Sequence, residues 1–364
     1  MNAANAALRR LTDQVIAASD SMTALDIRGG CTKAFYGGAT RGEPLEAGDV
    51  RGITSYEPTE LVITALAGTP LAELEVALAE GGQCLPFEPP RFAAGGTVGG
   101  MVAAGLSGPA RASVGAARDH VLGMTVLNGR GELLTFGGQV MKNVAGYDVS
   151  RLFCGSLGIL GVICEVSLKV MPVAPACATL TFEMGEAAAL AQLHRWAALP
   201  MPLSASAWHR GRLVVRLSGA RSAVKSVYER WGGSPLDPAA ATLWWDSIRD
   251  HGHEFFHLTH DQLASGECLW RLSLPDTASP IEIPGEQFVE WGGAQRWLRS
   301  GAPASQIRAA AAKVGGHATL VRAADKSPGV FAAQTTPLMA IHRRLKQSFD
   351  PSGIFNPGRL YSEL

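Results

Sequence analysis

The sequence predicts an α+β protein of two domains, and three observations support this. Residues 1–172 alternate apolar strand-like runs, amphipathic runs and glycine-rich loops. Residues 173–339 repeat a strand, turn, strand and helix pattern and contain all 8 tryptophans. Residues 340–364 combine one amphipathic helix with a tail rich in proline and glycine. We therefore predict a first domain over 1–172, completed by 340–364, and an antiparallel α+β domain over 173–339 inserted between them.

Glycine and proline mark the ends of elements in the first domain. The run "ELVITALAG" predicts a strand, and a helix should follow with Thr69 as its N-cap and Pro70 at its first position. Gly81 and Gly82 should end that helix. "HVLGMTVLN" and "ELLTF" flank the turn "GRG" and predict a hairpin, and "LGILGVICEVSLKVMP" predicts a further long strand.

The second domain shows one pattern twice. "SAWHRGRLVVRLSG" followed by "ARSAVKSVYERWGG" predicts two strands and a helix. "EQFVEWGGAQRWLRSG" followed by "APASQIRAAAAKVGG" has the same rhythm. Two such halves favour an antiparallel sheet with helices on one face, which an ancient duplication would explain. The tryptophans suit either the core or a face for a partner, and we favour the core.

Composition argues against several classes of function. The 32 basic and 32 acidic side chains cancel, so no charge excess favours nucleic acid or anionic lipid as a partner. The 6 cysteines form no Cys-x-x-Cys pair, which argues against a disulfide framework, a zinc ribbon or an iron–sulfur cluster. Arg9, Arg10 and Asp13 interrupt the N-terminal run where a signal peptide needs apolar residues, and glycines break the longest uncharged stretch, 93–110. We expect a reduced, cytoplasmic protein without a direct membrane span.

Three glycine-rich loops are the main functional signal. The first, "IRGGCTKAFYGG" at residues 27–38, is compatible with a structural turn or with a loop whose successive N–H groups hold a phosphate. It matches neither a Walker A loop nor Gly-x-Gly-x-x-Gly at the start of a helix. The segments "PPRFAAGGTVGGMVAAGLSG" and "KNVAGYDVSRLFCGSLGILGV" also lie beside predicted strands. Together the three loops favour one large polyphosphate ligand, a dinucleotide held between two lobes.

These motifs resemble a known family. "RGGCTK", "GGTVGG", "RDHVLGMTVLNGRGEL", the third glycine-rich segment and the closing "FDPSGIFNPGRLY" are similar to flavoproteins of the vanillyl-alcohol oxidase (PCMH) type. They resemble most closely the FAD-binding subunits of bacterial glycolate oxidase (glycolate dehydrogenase). The resemblance covers about residues 20–172 and 340–364. It implies a two-lobed FAD-binding domain of PCMH type and an antiparallel α+β cap domain.

The resemblance also implies which residues contact FAD. Residues 28–33 would lie on the diphosphate, where Lys33 either adds a charge or is merely exposed. The second and third segments would approach from other sides, and Asn356 of "NPGR" would return to the isoalloxazine ring. The implied cofactor-binding residues are Arg28, Gly29, Gly30, Cys31, Thr32, Lys33, Pro90, Gly96, Thr97, Gly99, Gly100, Gly155, Ser156, Gly158, Ile159, Gly161 and Asn356.

Two departures from the family concern how FAD is attached. Many members link FAD covalently through a histidine of the first loop, where this chain has Thr32. Others use a cysteine in the second segment, where "GLSGPARASVG" has none. Cys31 is adjacent, but a small loop residue is the favoured interpretation. We therefore predict non-covalent FAD.

The catalytic residues are less clear. Oxidation of a 2-hydroxy acid on a flavin needs a cation for the carboxylate and a base for the hydroxyl proton. Catalytic relatives carry His-x-Gly-Asp-Gly-Asn-x-His, whereas this chain reads "GGHATLVRA" and keeps a single histidine. We consider His317 as the base and Arg322 as the carboxylate-binding cation. A structural histidine and a surface arginine are the alternatives.

The stretch "HGHEFFHLTH" contains His-Glu-x-x-His at 253–257, which on a helix would place two histidines on one face for zinc. The two phenylalanines between them suit a hydrophobic core, and no third ligand follows nearby. We predict no metal, and a zinc hydrolase remains the weakest alternative.

The resemblance implies oxidation of glycolate to glyoxylate, with D-lactate as a second candidate substrate. It also implies two partners, a larger flavin-containing catalytic subunit and an iron–sulfur subunit, through which the protein would associate with the inner face of the cytoplasmic membrane. The alternative is a flavin-carrying subunit without its own catalysis, which supports or relays electrons for a sister subunit. The incomplete histidine motif favours this alternative.

Overall fold

The computed structural model describes residues 3–138 and 148–364, and its described residues fall into two compact units. The first unit comprises residues up to 106, 116–172 and 333–364, and the second comprises 107–115 and 173–332. This division assigns 107–115 to the second unit and begins the C-terminal segment of the first at Ala333. That the predicted boundaries separate two functional domains stays a prediction.

The first unit combines short sheets with helices. Its strands are β1 Leu25–Arg28, β2 Glu43–Glu46, β3 Ile53–Glu57, β4 Val62–Leu66, β5 Gln83–Cys84, β6 Val121–Leu127, β7 Leu133–Gly137, β8 Val162–Lys169 and β9 Met171–Pro172. Its helices are α1 Ala3–Ser21, α2 Leu71–Glu80, α3 Val98–Ala104, α5 Ser150–Phe153 and α11 Thr336–Phe349, while α4 Arg111–Val114 belongs to the second unit.

In the first unit, β1 and β2 pair in parallel. An antiparallel sheet contains five strands in the spatial order β3-β4-β8-β6-β7. The predicted hairpin around "GRG" is confirmed as β6 and β7. The predicted long strand begins at Val162 and is split into two strands, β8 and β9. The longer β8 pairs with β4 and β6, whereas the short β9 pairs with β5.

The start of α2 differs from the prediction. Thr69 does not cap this helix, because its hydroxyl donates to Leu66 O at 2.6 Å and accepts from Gly52 N at 2.9 Å. Pro70 occupies the N-cap position instead, and the helix begins at Leu71. The predicted end is confirmed, with Gly81 as the C-cap.

Two hydrophobic cores stabilise the first unit. One packs α2 and α3 on the five-stranded sheet, with Ile63, Leu74 and Val166 fully buried. The other packs α1 on β1 and β2 and includes Phe355 of the C-terminal segment. Burying one such side chain contributes about 1.5–3 kcal/mol. The segment after α11 is therefore an integral part of this unit.

The second unit contains one eight-stranded antiparallel sheet in the order β13-β10-β12-β11-β15-β16-β14-β17. Its strands are β10 Ala176–Glu183, β11 Leu203–His209, β12 Arg212–Gly219, β13 Ser234–Pro235, β14 Cys268–Ser273, β15 Glu286–Glu290, β16 Gln295–Ser300 and β17 His317–Arg322. Its longer helices are α6 Glu186–Ala197, α7 Arg221–Trp231, α8 Pro238–Arg249, α9 His260–Ala264 and α10 Ala304–Lys313.

The order of the sheet confirms the repeated pattern. The half β13-β10-β12-β11 and the half β17-β14-β16-β15 have matching orders and meet at the β11–β15 pair. In the first half α6 and α7 cover the sheet, and in the second half α10 covers it. Duplication as the origin of this symmetry stays a prediction. Trp245, Trp270, Trp291 and Trp297 are buried, as expected for core residues.

Candidate functional site

Segments distant in sequence surround a cavity of about 290 Å³ in the first unit. Its wall is formed by residues 26–34 within and after β1, by parts of 97–104 at the N-cap and within α3, and by parts of 157–163 before and within β8. Asn356 and Arg359 of the C-terminal segment complete it. Two of the three glycine-rich loops therefore line one cavity, together with the described part of the third. The stretch 142–147 of that third loop lies outside the described residues.

The first loop offers backbone donors to a ligand. In the described part of the chain, no carbonyl or side chain accepts a hydrogen bond from the N–H groups of Gly29, Gly30, Cys31 or Thr32. Cys31 has a φ of 53°, and Ala34 N donates to Cys31 O at 3.1 Å, which closes a turn. Successive N–H groups in such a turn form a concave site for an anion.

The first and second loops touch so closely that glycine is required. A Cβ on Gly30 would lie 1.6 Å from the carbonyl oxygen of Gly95, and one on Gly29 would lie 2.6 Å from Thr97 Oγ1. Thr97 caps α3, since its hydroxyl accepts from Gly100 N at 3.2 Å. The glycines thus allow the backbones of the two loops to come together beside the cavity.

Asn356 ties the C-terminal segment to the other two sides of the cavity. Its Oδ1 accepts from Ile27 N at 2.8 Å, and its Nδ2 donates to Leu157 O at 2.7 Å. The residue is buried and has a φ of 42°, a conformation that asparagine tolerates. Asn356 lines the cavity, as predicted from the resemblance, and it also fixes β1 relative to the 157–163 segment.

The charges around the cavity favour an anion. Its described charged residues are Arg28, Lys33 and Arg359 against the single carboxylate of Asp26. Arg28 Nε lies 2.8 Å from Asp26 Oδ2, and this hydrogen bond raises the pKa of the arginine. Lys33 is half-buried, and its Nζ lies 5.7 Å from the centre of the Phe92 ring. A surplus of cations beside free N–H groups fits a diphosphate.

Many of the predicted contacts line the cavity. They are Arg28, Gly29, Gly30, Cys31, Thr32, Lys33, Thr97, Gly99, Gly100, Gly158, Gly161 and Asn356. Others do not line it: Pro90, Gly96, Gly155, Ser156 and Ile159.

Packing explains why two of the latter residues are not in the wall. Ile159 is a core residue whose carbonyl accepts from Lys346 Nζ at 2.8 Å. Gly155 N donates to Val102 O at 3.0 Å, which holds that loop against α3. As contacts of FAD, these residues stay predictions.

Several wall residues were not predicted from the sequence, and three of them contribute charge or hydrogen bonds to the site. Asp26, Leu157 and Arg359 line the cavity. Arg359 could have been identified from the sequence, because it is the basic residue of the "NPGR" motif that contains Asn356. The other two carry no local signal, since an aspartate at a strand and a leucine beside a glycine are ordinary features.

The candidate catalytic residues lie in the second unit, at the two ends of β17. Arg271 pairs with Thr319, and Leu269 pairs with Arg322, with an extra residue on β17 between these positions. This bulge places His317, Thr319 and Arg322 on one face of the sheet, with Arg271 of β14. Burial and the Arg271 charge lower the pKa of His317. The catalytic roles of His317 and Arg322 stay predictions.

The His-Glu-x-x-His stretch does not form the helix that a zinc site of this type needs. Only Glu254–Phe256 form a short 3₁₀ turn, and Phe255 and Phe256 are buried. His253 Nδ1 accepts from Phe255 N at 3.2 Å, so it caps this turn. Among the described residues, no group of three or more His, Cys, Asp or Glu side chains is arranged to hold a metal ion.

Within residues 3–138 and 148–364, no helix has the length and apolar character required to cross a bilayer.

Comparison with known proteins identifies the family. A family model described as an FAD binding domain matches residues 11–137. Glycolate oxidase subunit GlcE of Escherichia coli (strain K12) is 45% identical over 354 residues, which are 97% of this chain and 97% of that protein. D-lactate dehydrogenase of Anaerostipes hadrus is 33% identical over 147 residues, 39% of this chain and 30% of that protein.

A shorter match and a solved structure extend the comparison. Glycolate oxidase subunit GlcD of Bacillus subtilis (strain 168) is 40% identical over 76 residues, 21% of this chain and 16% of that protein. A structure of alkyldihydroxyacetonephosphate synthase covers 96% of this chain and 75% of its own, with a TM-score of 0.63 and 16% identity, and so shows the fold alone.

The glycine-rich loops, the cation-rich cavity and the match to an FAD binding domain agree with one another, and FAD is the cofactor. The similarity to GlcE extends over nearly the whole of both chains. The predicted α+β architecture of PCMH type is confirmed. The chain therefore belongs to the PCMH-type family of FAD-binding glycolate oxidase subunits.

Proposed function

We propose that this chain is the FAD-binding subunit of a complex that oxidises glycolate to glyoxylate, with D-lactate as a second substrate. One observation supports the location of the cofactor: the free N–H groups of the first loop and three cations line one cavity, which the C-terminal segment completes. The substrate class rests on the relatives, since GlcE is named as a glycolate oxidase subunit and the A. hadrus protein as a D-lactate dehydrogenase.

When bound, FAD supplies an acceptor for the two electrons of the substrate. The chain binds its diphosphate through the N–H groups of residues 29–32, and Arg28, Lys33 and Arg359 balance its charge. Thr32 lines the cavity where some relatives carry an attached histidine, which supports non-covalent binding.

For the substrate, we retain Arg322 as the carboxylate-binding cation and His317 as the base. The bulge in β17 supports this pair, because it brings both residues to one face of the sheet. Their partners on β14 are Leu269 and Ser273, four residues apart, so the backbone positions are separated by roughly 13 Å. Arg271 lies between them on the same face and could bind the carboxylate instead.

The alternative is a subunit that carries flavin without catalysis of its own. The observation that favours it is the single histidine in "GGHATLVRA", where catalytic relatives have two. In either case we propose a larger flavin subunit related to GlcD as a partner, since GlcE and GlcD are named as subunits of glycolate oxidase. An iron–sulfur subunit, a cytoplasmic location and membrane association through these partners are further parts of the proposal.

The test is an absorbance spectrum of the purified chain, followed by anaerobic addition of glycolate and, separately, D-lactate. Bleaching of the flavin bands by glycolate would support a complete active site in this chain, and His317→Gln should then slow the bleaching. A spectrum that stays oxidised, but bleaches after a GlcD-like subunit is added, would support the carrier role. A spectrum that no 2-hydroxy acid bleaches, even in the assembled complex, would contradict both.

A further inference from the structure

Arg359 connects the C-terminal segment to the loop that follows the backbone donors. Its guanidinium group donates through Nη1 to Gly38 O and through Nη2 to Ala34 O at 3.0 Å and Lys33 O at 3.4 Å. In return, Gly38 N donates to Arg359 O at 2.8 Å. One side chain thus holds both ends of residues 33–38.

The held loop is continuous with the proposed phosphate site. Ala34 N donates to Cys31 O at 3.1 Å, and Tyr36 N donates to Lys33 O at 3.0 Å. The carbonyl of Lys33 therefore accepts hydrogen bonds from both Tyr36 N and the guanidinium group of Arg359. Loss of the guanidinium would release the turn from Lys33 to Tyr36, which directly follows the residues that present N–H groups to the cavity.

The charge of Arg359 is also incompletely compensated. The residue is only 7% exposed, and in the described part of the chain no carboxylate lies within 4.0 Å of its nitrogens. Asp26 is the neighbouring carboxylate, but Arg28 already binds it at 2.8 Å. Burial lowers the pKa of Arg359, and the charge of Asp26 opposes this. A buried charge without a close counter-charge is costly, and an anion in the adjacent cavity would reduce that cost.

We propose that Arg359 is a positioning residue of the FAD site, which couples docking of the C-terminal segment to cofactor binding. The proposal rests on FAD occupying the cavity of the first unit. The guanidinium orders residues 33–38 before FAD arrives, and the diphosphate strengthens the same contacts when it binds. Because linkage is reciprocal, FAD must then stabilise the docked segment as much as the docked segment stabilises bound FAD.

The experiment compares the full-length wild type, Arg359→Lys and the control Arg344→Ala. Lysine keeps the charge but cannot donate to three carbonyls in the planar geometry of arginine. Arg344 lies on the exposed side of α11. Three quantities are measured: the Kd for FAD by titration of the apoprotein, the Tm of the apoprotein, and hydrogen exchange in peptides over 33–38 and 354–360 with and without FAD.

We expect Arg359→Lys to weaken FAD binding at least tenfold. The Tm of its apoprotein should fall below that of the wild type and of Arg344→Ala, because a buried lysine cannot replace all three hydrogen bonds. In the wild type, FAD should slow exchange in both peptides, and in Arg359→Lys it should no longer slow exchange over 354–360. A Kd within twofold of the wild type would overturn the proposal. So would weaker FAD binding in an Arg359→Lys protein whose 354–360 peptide FAD still protects as in the wild type, since the role of Arg359 would then be merely structural.

Two further outcomes are distinguishable. If Arg359→Lys does not fold, the exchange measurement on the wild type decides, and FAD without effect on the 354–360 peptide overturns the coupling. If the wild-type apoprotein does not bind FAD at all, the location of the cofactor itself is wrong, and the inference fails with it.

Discussion

The ammonium group of Lys346 and the carboxylate of Asp350 form a buried ion pair across one turn at the end of α11, with 2.8 Å between Nζ and Oδ2. Lys346 Nζ also donates to the carbonyls of Ile159 and Phe355 at 2.8 and 2.9 Å. Asp350 in turn accepts from Phe355 N at 2.8 Å. This pair therefore fixes the chain that leads to Asn356 and Arg359 against the segment before β8.

Removal of the lysine charge should destabilise the first unit. In Lys346→Met, Asp350 would remain buried without its counter-charge, and breaking such a pair typically costs about 3–5 kcal/mol. Chemical unfolding of the apoprotein followed by circular dichroism measures the loss. The control is Lys313→Met, an exposed lysine in the last turn of α10, which should change stability by less than about 0.5 kcal/mol. Equal effects of the two variants would contradict the role of the pair.

Asn356→Asp tests the link between the two sides of the cavity. Aspartate tolerates the positive φ and can still accept from Ile27 N, but it cannot donate to Leu157 O, and it adds a negative charge beside a polyanion. We expect a stability loss of about 1–3 kcal/mol from the unsatisfied carbonyl and at least tenfold weaker FAD binding. Gln347→Glu makes the same chemical change at an exposed position and should bind FAD normally. An unchanged Kd for Asn356→Asp would exclude this residue from the site.

Gly30→Ala tests the close contact of the two loops. A Cβ at Gly30 would overlap the carbonyl of Gly95, so the backbones must separate and the N–H groups of the loop must move. We expect purified Gly30→Ala to contain little or no FAD. Gly48→Ala is the matched control, because a Cβ at Gly48 meets nothing within 4 Å. The flavin-to-protein absorbance ratio measures both, and full flavin content in Gly30→Ala would rule out the proposed loop geometry.

The buried His251 should make the stability of the second unit depend on pH. Burial, together with the charges of Arg322 and Arg271, lowers the pKa of His251 from its ordinary 6.5 to about 3. The unfolded chain therefore takes up a proton below about pH 6.5 that the folded chain takes up only near pH 3. Stability should be complete above this window and fall by up to about 1.4 kcal/mol per pH unit as the pH drops through it.

Urea unfolding followed by tryptophan fluorescence reports this effect, because all 8 tryptophans lie in the second unit. His251→Asn tolerates the positive φ of 57° and does not titrate. Its absolute stability should fall, since the ring stacks on Phe256 at 4.1 Å, but its pH dependence between 6.5 and 5 should be shallower than in the wild type. Equal slopes would show that His251 is not the titrating group.

Local patterns predicted most elements of the fold but not the contacts between distant segments. The "GRG" turn between two apolar runs specified a hairpin, and paired glycines marked the ends of α2 and α7. Thr69 failed as a cap because its hydroxyl binds Gly52, a residue brought close by the sheet. A capping pattern in the sequence contains no information on such a competing hydrogen-bond partner.

The same distinction between local patterns and distant contacts applies to the residues of the site. Glycines that must approach another backbone were recognisable by their number and grouping, as in the first and second loops. The motif "NPGR" marked Arg359 as a candidate, but its role could not be predicted, since it depends on carbonyls 321 to 326 residues away. The shared face of His317 and Arg322 depends on a bulge that only the pairing of β14 with β17 produces.

The most direct test of the central claim uses the cysteines that the chain already has. Cys31 is exposed and lines the cavity, whereas Cys177 is exposed in the second unit. The rate at which iodoacetamide modifies each thiol is measured by mass spectrometry, in apoprotein and in protein saturated with FAD. If FAD lies on the first loop, it should slow modification of Cys31 at least tenfold and leave Cys177 unchanged. Equal rates at Cys31 with and without bound FAD would contradict the location of the cofactor.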